Sequence, residues 1–494
     1  MKTIKYLTTP IYYPNNTPHV GHLYSSLLVD VWKKAAKLLN RKHYFTTGLD
    51  EHGQKVAQAA AARGYSAQEH VNHLSAKFIE FFQHFNIEWD YWVRTTSVEH
   101  KMAVQNIWMK LKNNGYIYKG NYAGWYSISD ETYLAEKPEQ ESEHIVWREE
   151  DCYFFKLSAL EDQLKKFYEE HPDFVYPNKR YNEAMGFLQN GLKDFVISRP
   201  KNRLYWGIEV PDDSDHVIYV WIDALVNYIS AVGYPNEEEY KHYWPGKHVL
   251  GKDILKFHAI YWPAILMATQ LPLPEKLIVH GWWMRDDAKI SKSLGNAVPL
   301  DDLITKYQVD GIRYFLLRGI ELGEDGQFRE DILKGVVHGD LANKYGNIFL
   351  RMLGIIELRF GGALPNGMPN LKTKEADALR KTLDRLYYSV DTLIDEPETM
   401  SEYLNRFIEV IVQINDYFQN NKIWEIEDKV EQAANLYFLM DIFRKATVLI
   451  SPVLTNSANA VMKFLGFPEC SMKYYDSNLP LEYISNRPRL FPKI

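Results

Sequence analysis

The sequence predicts an α/β protein, with a parallel sheet in its first half and mostly helices in its second half. Over residues 1–115, short apolar runs alternate with apolar residues at helical spacing. This strand–helix–strand–helix order is typical of a parallel sheet covered by helices. From about Leu300 onward the apolar spacing is almost wholly helical. The periodic segments lie at 329–360, 374–394, 400–421 and 428–450.

The first predicted elements are two strands, at 4–9 and 43–48, separated by a helix from Pro18 to about Asn40. Thr17 suits the N-cap of this helix, and proline suits its first helical position. A second helix is predicted to open at 57–62. The apolar residues of the first helix recur at spacings of three and four: Leu23, Leu27, Leu28, Val31, Ala35 and Leu38.

Residues 116–216 differ from what precedes them, because they are rich in Tyr, Glu, Asn and Lys and have weak periodicity. This pattern indicates an insertion, since strand-like apolar runs return at 217–221, 248–250 and 277–279. We therefore expect the sheet to resume after the insertion. The clearest linker is 360–369, which is rich in Gly and Pro.

Length, charge and cysteine content narrow the class of protein. The 494 residues suggest about three domains, at roughly 100–200 residues per domain. The cysteines, Cys152 and Cys470, are too few for a disulfide scaffold or a four-cysteine zinc site, and they indicate a reducing compartment. The formal net charge of −7 excludes a basic field over the whole surface, so any contact with nucleic acid must be local.

Neither a targeting signal nor a membrane span is predicted. The N-terminus lacks the 7–15-residue apolar stretch of a signal peptide. The most apolar window, 259–268, is about half as long as the ~18 residues that a span needs. We therefore expect a soluble, cytoplasmic protein, although the sequence leaves open an organellar protein whose presequence has been removed.

A first chemical constellation lies in the segment that joins the first strand to the first helix. His19 and His22 are three residues apart and share a helix face, and Gly21 between them lets a ligand approach the backbone. A helix N-terminus after a parallel strand favours an anion such as phosphate, to which two imidazoles can donate hydrogen bonds. A metal half-site, or two histidines that only cap a turn, are the alternatives.

A second constellation lies at 281–293, after the last predicted strand. It places Lys289 and Lys292 beside Ser291 and Ser293, where flexible lysines can reach charge that develops on phosphates. Segments with lysines and serines at this spacing are common on protein surfaces. This segment indicates a phosphate site only when it is considered together with the first constellation.

Two other nucleotide-binding classes are excluded. Residues 246–253 nearly fit a P-loop, but the pattern ends in Asp253 rather than Ser or Thr, and 248–250 is strand-like. The sequence also contains no G-x-G-x-x-G, which argues against a dinucleotide-dependent oxidoreductase.

The two constellations together resemble the signatures of class I aminoacyl-tRNA synthetases: His19-Val-Gly-His22 resembles HIGH, and Lys289-Ile-Ser-Lys-Ser293 resembles KMSKS. Segments 47–54, 219–228, 251–264 and 340–347 narrow the resemblance to the methionyl-tRNA synthetases. The resemblance implies a Rossmann-type catalytic core with an inserted connective-peptide domain, a stem-contact fold that carries the lysine loop, and an α-helical anticodon-binding bundle. The implied ranges are 1–115 and 217–287 for the core, 116–216 for the insertion, 288–345 for the stem-contact fold and 346–494 for the bundle.

The resemblance also implies a reaction and the residues that perform it. L-methionine would be activated with ATP and Mg²⁺ to methionyl-adenylate and pyrophosphate, and then transferred to the 3′ end of tRNA(Met). The implied catalytic residues are His19, His22, Lys289 and Lys292. The implied ATP contacts are Asn15, His19, His22, Gly251, Asp253, Trp283 and Lys292. The implied methionine pocket comprises Ile11, Tyr13, Asp50, Trp221, Ala224, Leu225, Tyr228, Phe257 and His258. The implied anticodon contacts are Asn343, Asn347, Arg351 and Trp424.

The sequence departs from the family pattern at three places. Ser127 and Asp130 stand where relatives carry zinc-binding cysteines, so we predict that no zinc is bound. Ile290 replaces the methionine of KMSKS with a side chain of similar apolar volume. Ile423 replaces the proline that usually precedes Trp424. The chain also leaves little room for a dimerising C-terminal appendix, and so a monomer is predicted.

Several alternatives stay open at this point. A synthetase for leucine, isoleucine or valine would need a larger editing insertion, because one methylene gives only about 1–3 kcal/mol of discrimination. A nucleotidyltransferase with the HIGH signature would not need the helical half. A metal-dependent hydrolase would use His19, His22 and His52. For the implied contacts themselves, core packing of the aromatic residues and a solvated polar stripe on the C-terminal helix are the alternatives.

Overall fold

A computed structural model describes residues 5–127, 132–133, 145–285, 287–290, 298–365, 371–479, 488 and 490–491, with only the backbone for 126–127 and 132–133, and all structural statements refer to these residues. The strands are β1 (Lys5–Thr8), β2 (His43–Leu49), β3 (Tyr91–Arg94), β4 (Ile117–Ser127), β5 (Thr132–Tyr133), β6 (Ile145–Phe155), β7 (Val175–Tyr176), β8 (Phe195–Val196), β9 (Ser198–Pro200), β10 (Glu209–Val210), β11 (Asp213–Ile218), β12 (Lys247–Gly251), β13 (Lys276–His280), β14 (Trp283–Arg285), β15 (Ala288–Lys289) and β16 (Gly326–Gln327). The α-helices are α1 (Val20–Leu38), α2 (Gln54–Ala61), α3 (Ala67–His84), α4 (Val98–Asn113), α5 (Glu161–Glu170), α6 (Asn178–Gln189), α7 (Val220–Ser230), α8 (Glu237–Tyr243), α9 (Trp262–Ala268), α10 (Leu300–Arg318), α11 (Glu330–Val336), α12 (Asn347–Phe360), α13 (Lys374–Asp395), α14 (Met400–Asn420), α15 (Lys429–Ile450) and α16 (Thr455–Phe464).

The chain divides into two compact units. The first consists of the residues up to Val29, His43–Gln83 and Ile87–Gly281, and the second of Asp30–Lys42, His84–Asn86 and the residues from Trp282 onward. The predicted domain boundaries are finer than this division and stay predictions.

The first unit is built on the predicted parallel sheet. Its strands lie in the order β3-β2-β1-β12-β13-β7, and every neighbouring pair is parallel. The strand order reverses between β1 and β12, the switch point at which open α/β sheets bind ligands beyond the carboxyl ends of their strands. The fold class predicted from the sequence, α/β with a parallel sheet followed by helices, is therefore confirmed.

The strand predicted at 217–221 is placed differently by the structure. β11 ends at Ile218, and α7 begins at Val220 with an apolar sequence that is buried along most of its length. β11 pairs antiparallel with β9 and β10, so the run at 217–221 contributes no strand to the parallel sheet. A short apolar run is buried in either a strand or a helix, and so its length alone did not separate the two.

The segment predicted as an insertion also contributes to the sheet. β7 lies within it and extends the parallel sheet beside β13, with Val175 opposite Leu277. Most of the segment's remaining strand content is a long antiparallel ribbon of β4 and β6, which pairs Ile117 with Phe155 at one end and Ser127 with Ile145 at the other. Cys152 is buried in this ribbon, opposite Gly120.

The second unit is mostly helical, as predicted from about Leu300 onward. The segments predicted at 374–394, 400–421 and 428–450 are α13, α14 and α15, and every bound agrees within one residue. The segment predicted at 329–360 contains α11, a π-helical stretch Val337–Gly346 and α12.

A wholly buried arginine holds part of the second unit together. The Arg313 guanidinium donates to the Asp30 carboxylate (Nη2–Oδ2, 2.8 Å). It also donates to the backbone carbonyls of Phe85, Pro452 and Val453. Because its donors are used in this way, the buried charge is stabilised by both an ion pair and neutral acceptors.

The predicted linker at 360–369 begins where α12 ends. Gly361 follows Phe360 with a left-handed backbone (φ 64°), a conformation that glycine adopts at helix C-termini without strain. Residues 366–370 lie outside the described part of the chain. No helix in the described ranges is both long enough and apolar enough to cross a membrane.

Candidate active site

The two histidines of the first constellation cap the first helix reciprocally. α1 begins at Val20, two residues later than predicted, and the cap comes from His19 and His22 rather than from Thr17. The His19 N–H donates to His22 Nδ1, and the Gly21 N–H donates to His19 Nδ1, both at 3.1 Å. This exchange has the logic of a capping box, in which two side chains satisfy amides at the start of a helix.

The cap determines which nitrogen of each ring carries the proton. An Nδ1 atom that accepts a hydrogen bond has no proton, so the proton of each neutral imidazole is on Nε2. The His19 and His22 rings lie 3.9 Å apart, and Tyr12 and Phe78 pack edge-on against His22 at 4.9 and 5.2 Å. The structure therefore shows that both histidines cap the first turn of α1 through their Nδ1 atoms.

The need for glycine at position 21 is explained more directly by the His19 ring than by the predicted approach of a ligand. A Cβ atom at this position would lie 3.0 Å from His19 Cε1, closer than a relaxed contact. The glycine thus makes room for the His19 ring to fold back on the helix.

The loop between β1 and α1 is tied to the carboxyl end of β2. The Tyr12 N–H donates to the Gly48 carbonyl (2.8 Å), and the Asp50 N–H donates to the Tyr12 carbonyl (2.9 Å). Asn15 is exposed in this loop. These bonds bring Ile11, Tyr13 and Asp50, predicted from distant parts of the sequence, into one neighbourhood.

Two of the predicted ATP contacts, Gly251 and Asp253, lie at the carboxyl end of β12 and just beyond it. A Cβ atom at Gly251 would lie 2.7 Å from Asp253 Oδ1, so the glycine allows that carboxylate to fold towards the strand end. His280 is opposite Gly251 in the sheet register. Its Nδ1–H donates to the Gly281 carbonyl (2.7 Å), which leaves Nε2 to accept from the Ser25 hydroxyl (2.8 Å).

Sequence reasoning missed His280 and Ser25. A signal was present, because His280 directly follows an apolar run that we predicted as a strand, at the end of the sheet where ligands bind.

The predicted methionine pocket contains two paired contacts between its members. The Trp221 and Phe257 rings stack at 3.6 Å with an angle of 7° between their planes. The Tyr228 hydroxyl and His258 Nε2 are 2.6 Å apart. Ala224 and Leu225 are buried on the same helix as Trp221 and Tyr228.

His258 is neutral at physiological pH. Burial lowers its pKa to about 4, and its Nδ1 faces the Ile254 carbonyl at 2.9 Å. A carbonyl can only accept, so Nδ1 carries the proton and Nε2 accepts from the Tyr228 hydroxyl. Phe257 and His258 lie in a π-helical turn, Phe257–Tyr261, a distortion that is frequent at functional sites.

His52, which the hydrolase alternative needs as a metal ligand, has a different partner. Its Nδ1 lies 2.6 Å from Asp223 Oδ2. Among the described residues, no group of three or more His, Cys, Asp or Glu side chains is arranged to hold a metal ion. Ser127 is described only by its backbone and Asp130 lies outside the described ranges, so the absence of zinc stays a prediction.

In the second unit, the lysine loop begins with a short antiparallel hairpin of β14 and β15. Lys289 Nζ lies 4.9 Å from the centre of the Trp282 ring. Trp283 is buried against Phe315, and its carbonyl accepts from the Ile290 N–H (3.3 Å). Ile290 itself is buried. Lys292, with Ser291 and Ser293, lies outside the described residues.

Of the predicted anticodon contacts, the structure brings Arg351 and Trp424 near each other. Asn343 and Asn347 are exposed, the first in the π-helical stretch and the second at the start of α12. The Arg351 guanidinium lies over the Phe418 ring at 4.5 Å and is 5.9 Å from the Trp424 ring, which is 40% exposed.

Two amides on α14 orient this guanidinium. Arg351 Nη1 donates to Asn415 Oδ1 (3.0 Å). In the amide orientation that satisfies both groups, the Gln419 side-chain oxygen accepts from Nη1 and Nη2 at 2.7 and 2.8 Å. Sequence reasoning missed Asn415, Phe418 and Gln419, although Asn415 and Gln419 have the four-residue spacing that places them on one helix face.

The turn before Trp424 forms without the usual proline. Ile423 is wholly buried, its N–H donates to the Phe418 carbonyl (3.3 Å) and its carbonyl accepts from Gln432 Nε2 (2.9 Å). The buried side chain and these two bonds hold the turn.

Comparison with known proteins identifies the family. The family described as tRNA synthetases class I (M) matches residues 5–143 and 139–353. The methionine–tRNA ligase of Rickettsia felis is 39% identical over 478 residues, which are 94% of this chain and 93% of the relative. That of Thermotoga maritima is 39% identical over 488 residues, which are 96% of this chain and 77% of the relative.

Solved structures agree with this result. The methionyl-tRNA synthetase of Mycobacterium tuberculosis in complex with methionyl-adenylate has a TM-score of 0.92 at 36% identity, covering 99% of this chain and 100% of that chain. The free form of the same protein has a TM-score of 0.85 at 33% identity, with 100% and 98% covered. With these matches over nearly the whole length, the chain belongs to the methionyl-tRNA synthetases, the methionine–tRNA ligases among the ATP-dependent class I aminoacyl-tRNA synthetases.

Proposed function

We propose that the reciprocal histidine cap of α1 is the group that binds the phosphates of ATP during activation of L-methionine. The observation that carries this proposal is the pair of Nδ1 acceptors, which puts each Nε2 proton on the side of the ring away from the helix backbone. These donors lie at a helix N-terminus next to the strand-order switch of a parallel sheet, where both the amides and the helix dipole favour an anion.

The proposed reaction needs no protein nucleophile. The methionine carboxylate attacks the α-phosphorus of ATP, the bond to the bridging oxygen breaks, and pyrophosphate leaves. Mg²⁺ bound to the phosphates would supply part of the charge neutralisation. Catalysis then consists of positioning and of neutralising charge that develops on the phosphates. Lys289 and Lys292 supply positive charge to the leaving pyrophosphate in this proposal, and Gly251, Asp253 and Trp283 hold the nucleoside.

The methionine pocket suits a thioether with a charged head. The Asp50 carboxylate accepts from the α-ammonium, and the stacked Trp221 and Phe257 rings offer aromatic surface to sulfur, a contact worth roughly 0.3–1.5 kcal/mol. The Tyr228–His258 pair is neutral, so it adds polarity at the thioether end without adding a charge.

For the second step, transfer of methionine to tRNA(Met), we propose that the anticodon is read by Asn343, Asn347, Arg351 and Trp424. Unstacked RNA bases are recognised by stacking on aromatic and guanidinium planes and by hydrogen bonds to their edges. Trp424 and Arg351 supply the planes, and Asn343 and Asn347 supply exposed amides. A monomer without bound zinc, working in the cytoplasm, completes the proposal.

ATP–pyrophosphate exchange with each of the twenty amino acids tests the substrate assignment. We expect methionine to stimulate exchange and leucine, isoleucine and valine to leave it near background. Stimulation by leucine but not by methionine would contradict the proposal. Exchange that does not depend on any amino acid would also contradict it and would favour the nucleotidyltransferase alternative.

A further inference from the structure

A buried carboxylate on α7 joins two buried histidines from different parts of the first unit. Asp223 Oδ2 lies 2.6 Å from His52 Nδ1, and Asp223 Oδ1 lies 2.7 Å from His100 Nε2. The second nitrogen of His100 lies 2.8 Å from the Ser230 hydroxyl at the end of α7. The side chains of Asp223, His52 and His100 are at most 3% exposed.

The carboxylate is ionised in this setting. Burial by itself would raise the pKa of Asp223, but the two histidines outweigh that effect and lower the pKa to about 2. Each carboxylate oxygen therefore accepts one N–H, so both rings are held by a charge-assisted hydrogen bond in a buried site.

The cluster connects two parts of the proposed methionine site. His52 follows Asp50 by two residues, in a loop whose backbone is held elsewhere: the Glu51 N–H donates to Thr95 Oγ1 (2.9 Å), and the Gly53 N–H donates to the Trp206 carbonyl (3.1 Å). α7 carries the pocket residues Trp221, Ala224, Leu225 and Tyr228. The contact from His52 to Asp223 therefore links the loop that carries the ammonium-binding carboxylate to the helix that carries the side-chain pocket.

We propose that Asp223 is a positioning residue for methionine, which holds Asp50 at the distance from α7 that lets one substrate use both. This inference rests on the proposed function, because it requires Asp50 to bind the α-ammonium. It goes beyond that function, since neither Asp223 nor the two histidines is among the proposed contacts of methionine or ATP. A misplacement of about 1 Å in such a site is enough for a large loss of binding or rate.

The test compares methionine with 4-(methylthio)butanoate, an analogue that lacks the α-ammonium but keeps the thioether and the carboxylate. In the Asp223→Asn variant we expect the KM for methionine in pyrophosphate exchange to rise about tenfold or more. We expect the inhibition constant of the analogue and the KM for ATP to change by less than about twofold. Equal losses for methionine and for the analogue would overturn the proposal, because they would indicate general damage to the pocket.

A double variant shows whether Asp223 affects methionine binding through Asp50 or independently of it. In an Asp50→Asn background, Asp223→Asn is expected to add less than about a twofold change in the KM for methionine. Full additivity of the two substitutions would contradict the proposal.

If Asp223→Asn does not fold, the proposal can be tested at His52 instead, by comparing a conservative substitution with a truncation. The amide nitrogen of His52→Asn can replace Nδ1 as the donor to Asp223, whereas His52→Ala cannot. We expect His52→Asn to keep the methionine KM within about threefold and His52→Ala to raise it about tenfold. Identical behaviour of the two variants would argue against positioning through this bond.

The first unit offers a matched control. His216 and Asp213 form another histidine–aspartate pair, with Nδ1 and Oδ2 at 3.1 Å, on β11. Asp213→Asn is expected to leave the methionine KM unchanged, and a tenfold rise would show that the readout is not specific. If the unmodified protein gives no methionine-dependent exchange, the proposed function itself fails, whereas exchange with an unchanged KM in Asp223→Asn overturns only the inference.

Discussion

The two regions proposed to bind substrates hold their polar groups in opposite ways. In the first unit, His258, His280 and Asp223 are buried, and their hydrogen bonds determine which atom carries each proton. In the second unit, Asn343, Asn347 and Trp424 are exposed to solvent. A hydrogen bond that is lost in a buried site leaves its partner unsatisfied, whereas water replaces it at an exposed site. We therefore expect substitutions in the first region to have the larger effects.

The largest effect on the rate is expected for a substitution of His22 that keeps its helix cap and removes its Nε2 donor. In His22→Asn, the amide oxygen can accept from the His19 N–H as Nδ1 does, but the Nε2 donor is lost. Removal of one preorganised donor to developing charge typically costs about 10²–10³ in rate, and we expect a loss of this size in methionine-dependent pyrophosphate exchange.

The thermal midpoint of His22→Asn should stay close to that of the unmodified protein, because the cap is kept. His73→Asn changes an exposed histidine and is the control. A variant that folds normally and exchanges at the unmodified rate would remove the histidine from the proposed phosphate site.

The second prediction uses the protonation of His258 in the buried pocket. Its pKa of about 4 in the folded protein lies below the ordinary value of 6.5, so the unfolded chain takes up this proton first as the pH falls. The associated stability is present above pH 6.5 and is lost as the pH falls from 6.5 towards 4. The contribution of one such group is about 3 kcal/mol at most.

Urea unfolding at pH 7 and pH 4 checks this prediction. We expect the free energy of unfolding to fall less between these pH values in His258→Gln than in the unmodified protein. His242→Gln removes an exposed histidine and should not alter the pH dependence. Equal pH dependence in His258→Gln and the unmodified protein would mean that the histidine is not buried in its neutral form.

The third prediction concerns the exposed region. Stacking of one base on an aromatic side chain is worth about 1–3 kcal/mol, so Trp424→Ala should lower kcat/KM for tRNA(Met) by about 5- to 150-fold. Methionine-dependent pyrophosphate exchange should stay unchanged, because it does not need the anticodon. Tyr388→Ala, which truncates another exposed aromatic ring on α13, is the control for general damage. Unaltered charging by Trp424→Ala would refute the anticodon assignment.

The smallest effect is expected at Gln419. Its amide oxygen accepts from the Arg351 guanidinium, which is also held by Asn415 and by the Phe418 ring. We expect Gln419→Ala to lower kcat/KM for tRNA(Met) by about two- to fivefold, since water can replace one bond at an exposed site. Asn420→Ala, at the next position, should have no effect. A loss as large as that of Trp424→Ala would mean that Gln419 itself contacts a base.

The limits of prediction from sequence also differ between the two units. The bounds of α13 and α14 followed from apolar spacing, because each of these helices has one buried face whose period the sequence displays. α15 is buried over most of its circumference, and its bounds followed from the length of its apolar segment. β7 was missed, since two residues at the edge of a sheet carry no periodicity. The run at 217–221 was assigned to a strand and contains the start of a helix, because an apolar run buried on all sides has no period to read.

The site residues show the same division. His19 and His22 were found because three-residue spacing and the family signature coincide. Their reciprocal cap was considered only as an alternative, and which nitrogen carries the proton depends on backbone geometry that the sequence does not display. The contact of Ser25 with His280 joins residues far apart in the chain, as does that of Arg351 with Gln419. Contacts of this kind depend on the tertiary fold, and so no local sequence pattern predicts them.

Methionine-dependent ATP–pyrophosphate exchange, measured side by side on the unmodified protein, His22→Asn and Trp424→Ala, tests the central claim most directly. We predict that the unmodified protein and Trp424→Ala exchange at the same rate, while His22→Asn falls by about 10²–10³-fold. Equal rates in all three proteins would contradict the account, as would a loss confined to Trp424→Ala, because either result would separate activation from the histidine cap.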